Sequence, residues 1–193
     1  MIGLTGGIGM GKSTAAAAFR RARIPVFDAD REVHKVQARG GAAVAPIAAA
    51  FPGAVRDGAV DRARLRAIVT EDPAAFARLE AIVHPLVRAA ERRFLAAARR
   101  AGHGLAVLDI PLLFETGGDR RVDRVVVVSA PADVQRARVR LRRGMSEAEA
   151  SKLIARQMPD AEKRRRADAV VRTGLSRYHA QRQLRGLIRE VRG

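Results

Sequence analysis

Gly6-Gly7-Ile8-Gly9-Met10-Gly11-Lys12-Ser13 satisfies every fixed position of the pattern G-x-x-x-x-G-K-[ST]. A short apolar run, residues 1–5, precedes it, and Ala15-Ala16-Ala17-Ala18-Phe19, a strong helix former, follows. Strand, glycine loop and helix in that order are the setting in which this pattern grips phosphate. Glycines allow successive backbone N–H groups to point at one polyphosphate, and the helix N-terminus adds partial positive charge. Lys12 is placed to reach the outer phosphates, and the Ser13 hydroxyl to join the shell of a Mg²⁺ ion. The expected ligand is a nucleoside triphosphate.

Outward from the loop, short apolar runs alternate with helical patterns. Strands are expected at 2–5, 24–28, 105–109, 122–129 and 169–173, separated by helices. That alternation predicts an α/β fold with a parallel sheet covered on both faces. The 193 residues suffice for one domain with room for a small insert, and 48% hydrophobic residues suffice for a sizeable core.

The interval from Asp30 to Gly104 carries only helical patterns, and an insert of this size is expected over the strand ends, where a second substrate binds. Phe76, Leu79, Val83, Leu86 and Ala90 recur at helical steps and predict one buried face. Asp72-Pro73 supplies the start of that helix, and His84-Pro85 is expected to interrupt it and bend the chain, where His84 could face a ligand or be structural, with no second ligand at metal spacing. Near the end, Leu184, Leu187, Ile188 and Val191 predict a closing amphipathic helix.

Composition limits the alternatives. There is no Cys, which excludes disulfides and thiolate metal sites. No stretch approaches the length of a membrane span or resembles a signal peptide, so a soluble cytoplasmic protein is expected. The formal charge of +17 comes almost wholly from Arg, since Lys12, Lys35, Lys152 and Lys163 are the only lysines. Such an excess favours anionic ligands. The arginines are scattered and only one Tyr and no Trp are present, so nucleic-acid binding is not expected as the main role.

Three further stretches carry chemistry. Phe27-Asp28-Ala29-Asp30 ends the second strand, where either aspartate could orient an accepting hydroxyl and take its proton, or simply cap the next helix. Leu105-Ala106-Val107-Leu108-Asp109 ends in a carboxylate suited to Mg²⁺, and Ile110-Pro111-Leu112-Leu113-Phe114-Glu115 follows as a shaped loop. Arg138, Arg142, Arg143, Arg156 and Lys163 lie in a helical stretch of the kind that closes over a triphosphate as a lid. Within it, Arg142-Arg143-Gly144-Met145 is expected as a turn and Ser146-Glu147-Ala148-Glu149 as a helix start.

Taken together, these residues resemble the dephospho-CoA kinase family. Thr5-Gly6-Gly7-Ile8-Gly9-Met10-Gly11-Lys12-Ser13-Thr14 is similar to its loop, with Met10 a departure where most members carry Ser. Asp28-Ala29-Asp30, His84-Pro85 and Pro111-Leu112-Leu113-Phe114-Glu115 match its DAD, HP and PLLFE motifs in order. Gln135, Arg138 and Arg142 match its run entering the lid, and Gln157 the glutamine ending the lid helix. A stretch that often reads Asp-Asn/Thr in the family is Val171-Arg172-Thr173-Gly174 here.

The resemblance implies a three-layer α/β/α fold of the P-loop NTPase type with a five-stranded parallel sheet. Within a single kinase domain, the core is 1–29, 104–135 and 168–193, the helical CoA-binding insert about 30–103 and the lid about 136–167. It implies ATP and Mg²⁺ as cofactors, dephospho-CoA as acceptor, and phosphorylation of its ribose 3′-hydroxyl. Catalytic roles fall to Lys12, Asp30 and Arg142. Nucleotide contacts are Gly7, Gly9, Met10, Gly11, Lys12, Ser13, Thr14, Arg138 and Gln157. Acceptor contacts are Asp28, Asp30, His84, Arg88, Phe114 and Glu115; Ser13 and Asp109 serve the metal. No membrane partner is implied, and the expected state is a monomer, with weak self-association left open.

Overall fold

A computed structural model describes residues 1–70 and 72–192, except the side chains of Arg142 and Arg143. Within these the chain divides into two compact units, one of residues 1–27 with 98–192, the other of residues 28–97.

The first unit is built on a five-stranded parallel sheet. Its strands are β1 (Ile2–Thr5), β2 (Val26–Asp28, whose last residue begins the second unit), β5 (Val107–Asp109), β6 (Arg124–Ser129) and β7 (Ala169–Arg172). They lie in the order β2-β5-β1-β6-β7, which puts β1 at the centre with every residue buried. Alternation along β6 assigns its valines to two different layers. Val126 and Val128 join Ile2, Leu4, Phe19, Val171, Leu184 and Ile188 in a core shared with helices α1 (Lys12–Arg21) and α9 (Arg177–Glu190). Val125 and Val127 face the other way, onto Leu113 and Phe114 of the segment after β5, with Met158 and Ala167 beside them. Each face of the sheet is therefore covered, which is why its strands read as almost continuous apolar runs.

The predicted closing helix is α9, with Leu184, Leu187 and Ile188 buried. At the sheet edge, Gln183 of α9 pairs its amide with the backbone of Arg172, accepting from its N–H at 3.1 Å and donating to its carbonyl at 3.2 Å. A side chain here replaces a neighbouring strand and blunts an exposed edge.

After β6 the chain forms α6 (Ala132–Arg143), α7 (Glu147–Ala155) and α8 (Asp160–Arg165). Ser146 and Glu149 form the full capping box of α7. The turn expected at residues 142–145 starts later: Arg142 and Arg143 are the last residues of α6, and Gly144 at φ 61° closes it. A left-handed residue at that place ends a helix, and glycine takes it without strain.

The second unit holds α2 (Ala29–Gln37), α3 (Val44–Ala50), α4 (Arg62–Thr70) and most of α5 (Pro73–Arg100) around Val36, Ile47, Phe51, Val60, Leu65 and Val83. Three sequence expectations change here. A hairpin, β3 (Val55–Arg56) with β4 (Ala59–Val60), interrupts the supposedly all-helical interval. Its turn is Asp57-Gly58 at φ 51° and 73°, a pairing that favours tight hairpins. Helix α5 runs unbroken through Pro85, because the turns on both sides carry the one lost N–H bond. Its buried face begins at Ala75 (1% exposed) rather than Phe76 (47%). Asp72 caps this helix, accepting from Ala74 and Ala75 N–H at 2.8 and 3.0 Å. Among the described residues, no helix is long and apolar enough to cross a membrane.

Candidate functional site

The glycine loop leaves the buried centre of the sheet and enters α1. Gly6 crosses so close to β6 that a Cβ there would lie 2.5 Å from the Val128 carbonyl oxygen. Gly9 sits at φ 77°, where a Cβ would also meet Val139 at 2.9 Å and the Gln135 carbonyl at 3.0 Å. Helix α1 has Gly11 at its N-cap, so no side chain caps it and no acid lies in its first turn. Ser13 and Thr14 are exposed there.

Consecutive loop carbonyls are held from outside by side-chain donors. Gln135 Nε2 donates to the Ile8 carbonyl at 2.9 Å, and an Arg138 guanidinium nitrogen to that of Gly9 at 3.3 Å. Thr173 Oγ1 donates to the carbonyl of Met10 at 2.6 Å. The Ile8 N–H donates to Gln157 Oε1 at 2.8 Å. Arg138 also donates to the Thr173 hydroxyl at 3.0 Å and carbonyl at 2.7 Å, which joins the brace to the end of β7. Met10 is buried, with the Ala130 N–H 3.0 Å from its sulfur. Each such bond is worth about 1 kcal/mol net, but their shared effect is geometric. They fix the orientation of three successive loop carbonyls, while the Met10 N–H is engaged within the loop by the Gly7 carbonyl at 3.1 Å.

Lys12 hydrogen-bonds and ion-pairs with Asp109, at the end of β5. Asp109 is 4% exposed. Two residues marked separately in the sequence are thus brought together by the pairing of β1 with β5.

The segment after β5 is gripped by α8. Lys163, among the lid cations expected over the triphosphate, is fully buried and ion-pairs with Glu115 at 2.8 Å. Glu115 also accepts from the Met158 N–H at 3.0 Å. Burial raises the Glu115 pKa, but the Lys163 hydrogen bond and charge, with backbone N–H groups of Glu115 and Met158, outweigh that and hold it below the usual carboxylate range. Phe114 is buried beneath the Arg166 guanidinium, 4.5 Å from its ring centre, and Arg166 also pairs with Asp119 at 2.8 Å.

In the second unit, Asp28 caps α2 by accepting from the Arg31 N–H at 2.9 Å, and Asp30 is exposed in the first turn. On α5, His84 Nε2 lies 3.7 Å from Glu80, and Arg88 is exposed. The Arg142 side chain lies outside the described residues. Thr173 was missed in the sequence as a loop-bracing residue. Its only local signal is a position at the end of a strand, just before a glycine.

A family model described as dephospho-CoA kinase matches residues 1–176. A dephospho-CoA kinase of Mesorhizobium japonicum is 54% identical over all of this chain and 97% of its own length. One from Paramagnetospirillum magneticum is 64% identical over 85% of this chain and 77% of its own. A crystal structure from Thermus thermophilus is 38% identical at a TM-score of 0.85, covering 100% of this chain and 97% of that one.

Proposed function

This chain belongs to the dephospho-CoA kinase family, and from that premise we propose how its residues divide the work of the reaction. The enzyme transfers a phosphoryl group to dephospho-CoA, on the ribose 3′-hydroxyl, as the last step of CoA biosynthesis. A nucleotide, ATP, is the donor.

The observation that carries the donor half is the set of tied-back carbonyls at Ile8, Gly9 and Met10. They support reading Gly7, Gly9, Met10, Gly11, Lys12, Ser13 and Thr14 as a preorganised phosphate cradle, with the open start of α1 behind it. Lys12 leaves Asp109 for the outer phosphates when nucleotide enters. Arg138 and Gln157 serve by holding the cradle in shape.

The Ser13 hydroxyl and the Asp109 carboxylate are hard oxygen donors that fit Mg²⁺, an ion that takes few protein ligands and completes its shell with water and phosphate. When bound, the ion neutralises charge on the outer phosphates. Lys12 and Arg142 neutralise the charge that develops on the transferred group. Asp30 accepts the proton of the ribose hydroxyl and aligns its oxygen for in-line attack. Its exposed place in the first turn of α2 supports that role, since Asp28 is already engaged as the cap. Asp28, His84 and Arg88 contact the acceptor, and Phe114 and Glu115 are its expected contacts from the segment after β5.

An ADP-release assay with dephospho-CoA, a nucleoside monophosphate and shikimate as rival acceptors tests this assignment. Release is expected with dephospho-CoA and not with the others. Stimulation by another acceptor alone overturns the reading.

A further inference from the structure

Lys163 is fully buried, although lysine is almost never so unless paired. Its ammonium reaches Glu115 Oε1 at 2.8 Å and the Pro111 carbonyl at 3.5 Å. The same carbonyl accepts from Thr5 Oγ1 at 2.9 Å. Thr5 is the last residue of β1 before the phosphate loop, and Asp109, two residues before Pro111, is the partner of Lys12. One buried cation of α8 thus joins the segment leaving β5 at both its ends. An ammonium offers donors and no acceptor, which suits a carboxylate and a carbonyl together.

We propose that Lys163 is a positioning residue for phosphoryl transfer: through Glu115 and the Pro111 carbonyl it fixes segment 109–115 and, with it, the carboxylate that faces Lys12. The proposal rests on the kinase reading above. Stability is a weak reason for such a pair, because an apolar pair of similar volume often folds as well. Geometry is the stronger reason. Three residues on, Arg166 grips the same segment through Phe114 and Asp119, so α8 and its C-cap hold residues 111–119 with two cations. Glu115, expected in the sequence to touch the acceptor, acts on this account through Lys163.

Steady-state transfer from ATP to dephospho-CoA tests it in Lys163→Met, Glu115→Gln and the double variant. Displacement of a catalytic group by about 1 Å costs on the order of 10²-fold in rate. Lys163→Met is therefore expected to lower kcat about ten- to hundredfold, with both KM values held within about threefold. Glu115→Gln lowers kcat in the same sense, and the double variant is no worse than Lys163→Met, because the two residues act as a unit. Should Lys163→Met fail to fold with Glu115 left unpaired, the double variant carries the test, since no charge remains to be compensated. A folded double variant with wild-type kcat overturns the proposal. So does Glu115→Gln with kcat kept and KM for dephospho-CoA raised, which marks a direct acceptor contact. A wild-type protein that transfers nothing to dephospho-CoA sinks the kinase reading instead.

Discussion

The hydroxyl of Thr173 donates to the carbonyl of Met10 at 2.6 Å, joining the exit of β7 to the middle of the phosphate loop across 163 positions of sequence. Thr173 is buried and also receives a hydrogen bond from Arg138 at 3.0 Å. A residue with no role in chemistry thereby helps decide which way a loop carbonyl faces.

Thr173→Val keeps the shape and removes the hydroxyl. It leaves the Met10 carbonyl without that donor and is expected to cost about 1–3 kcal/mol in thermal or urea unfolding. KM for ATP is expected to rise several-fold while KM for the acceptor stays. Thr173→Ser, which keeps the hydroxyl, should restore most of the affinity.

Gly9→Ala forces a side chain into φ 77° and within 2.9 Å of Val139. The loop must shift to accept it, because the nearby Gln135 carbonyl at 3.0 Å is backbone and yields little. Nucleotide binding, read by calorimetry, should weaken at least tenfold while most of the fold remains by circular dichroism.

Lys12→Ala removes both the phosphate-binding cation and the partner of Asp109. Transfer to dephospho-CoA is expected to fall by about 10²–10³-fold, the scale of losing one preorganised electrostatic group. Full activity in this variant would rule out phosphate-loop catalysis.

Asp30→Asn keeps the size of the side chain and removes its basicity. Turnover should fall by about 10²–10⁴-fold, the range for a lost general base, with ATP affinity unchanged. An unaltered kcat would remove Asp30 from the mechanism.

Acid sensitivity follows from Glu115. A carboxyl whose folded-state pKa is lowered adds stability at pH values above its unfolded pKa of about 4.3, and that stability disappears as pH falls through the lower folded value. Urea midpoints of the wild type and Glu115→Gln should therefore differ most near neutrality and converge toward pH 3. The gap is expected to be modest, because the Glu115 side chain is 22% exposed.

Much of the fold can be read along the chain because it depends on neighbours in sequence. The continuous apolar run of β6, the Ser146–Glu149 capping box and the Asp72 cap each need only a few adjacent residues to specify them. The β3–β4 hairpin was equally local, written in Asp57-Gly58 between Val55-Arg56 and Ala59-Val60, and was hidden by the helical patterns around it. Pro85 and Phe76 misled for another reason. The rest of a 28-residue helix outweighs one lost hydrogen bond, and the expected α5 face is buried at Val83 and Ala90 and departs only in its first turn, where Ala75 rather than Phe76 turns inward.

The loop at Gly6–Ser13 was determined by the sequence alone, since glycine, lysine and serine at fixed spacing admit few other structures and few other ligands. The tertiary structure alone decided what stands behind that loop. Gln135, Arg138, Gln157 and Thr173 tie its backbone from distant elements, Asp109 takes up Lys12, and Lys163 is buried against Glu115. Local propensity governs a turn, but the partner of a buried charge or carbonyl depends on which strands and helices are brought side by side.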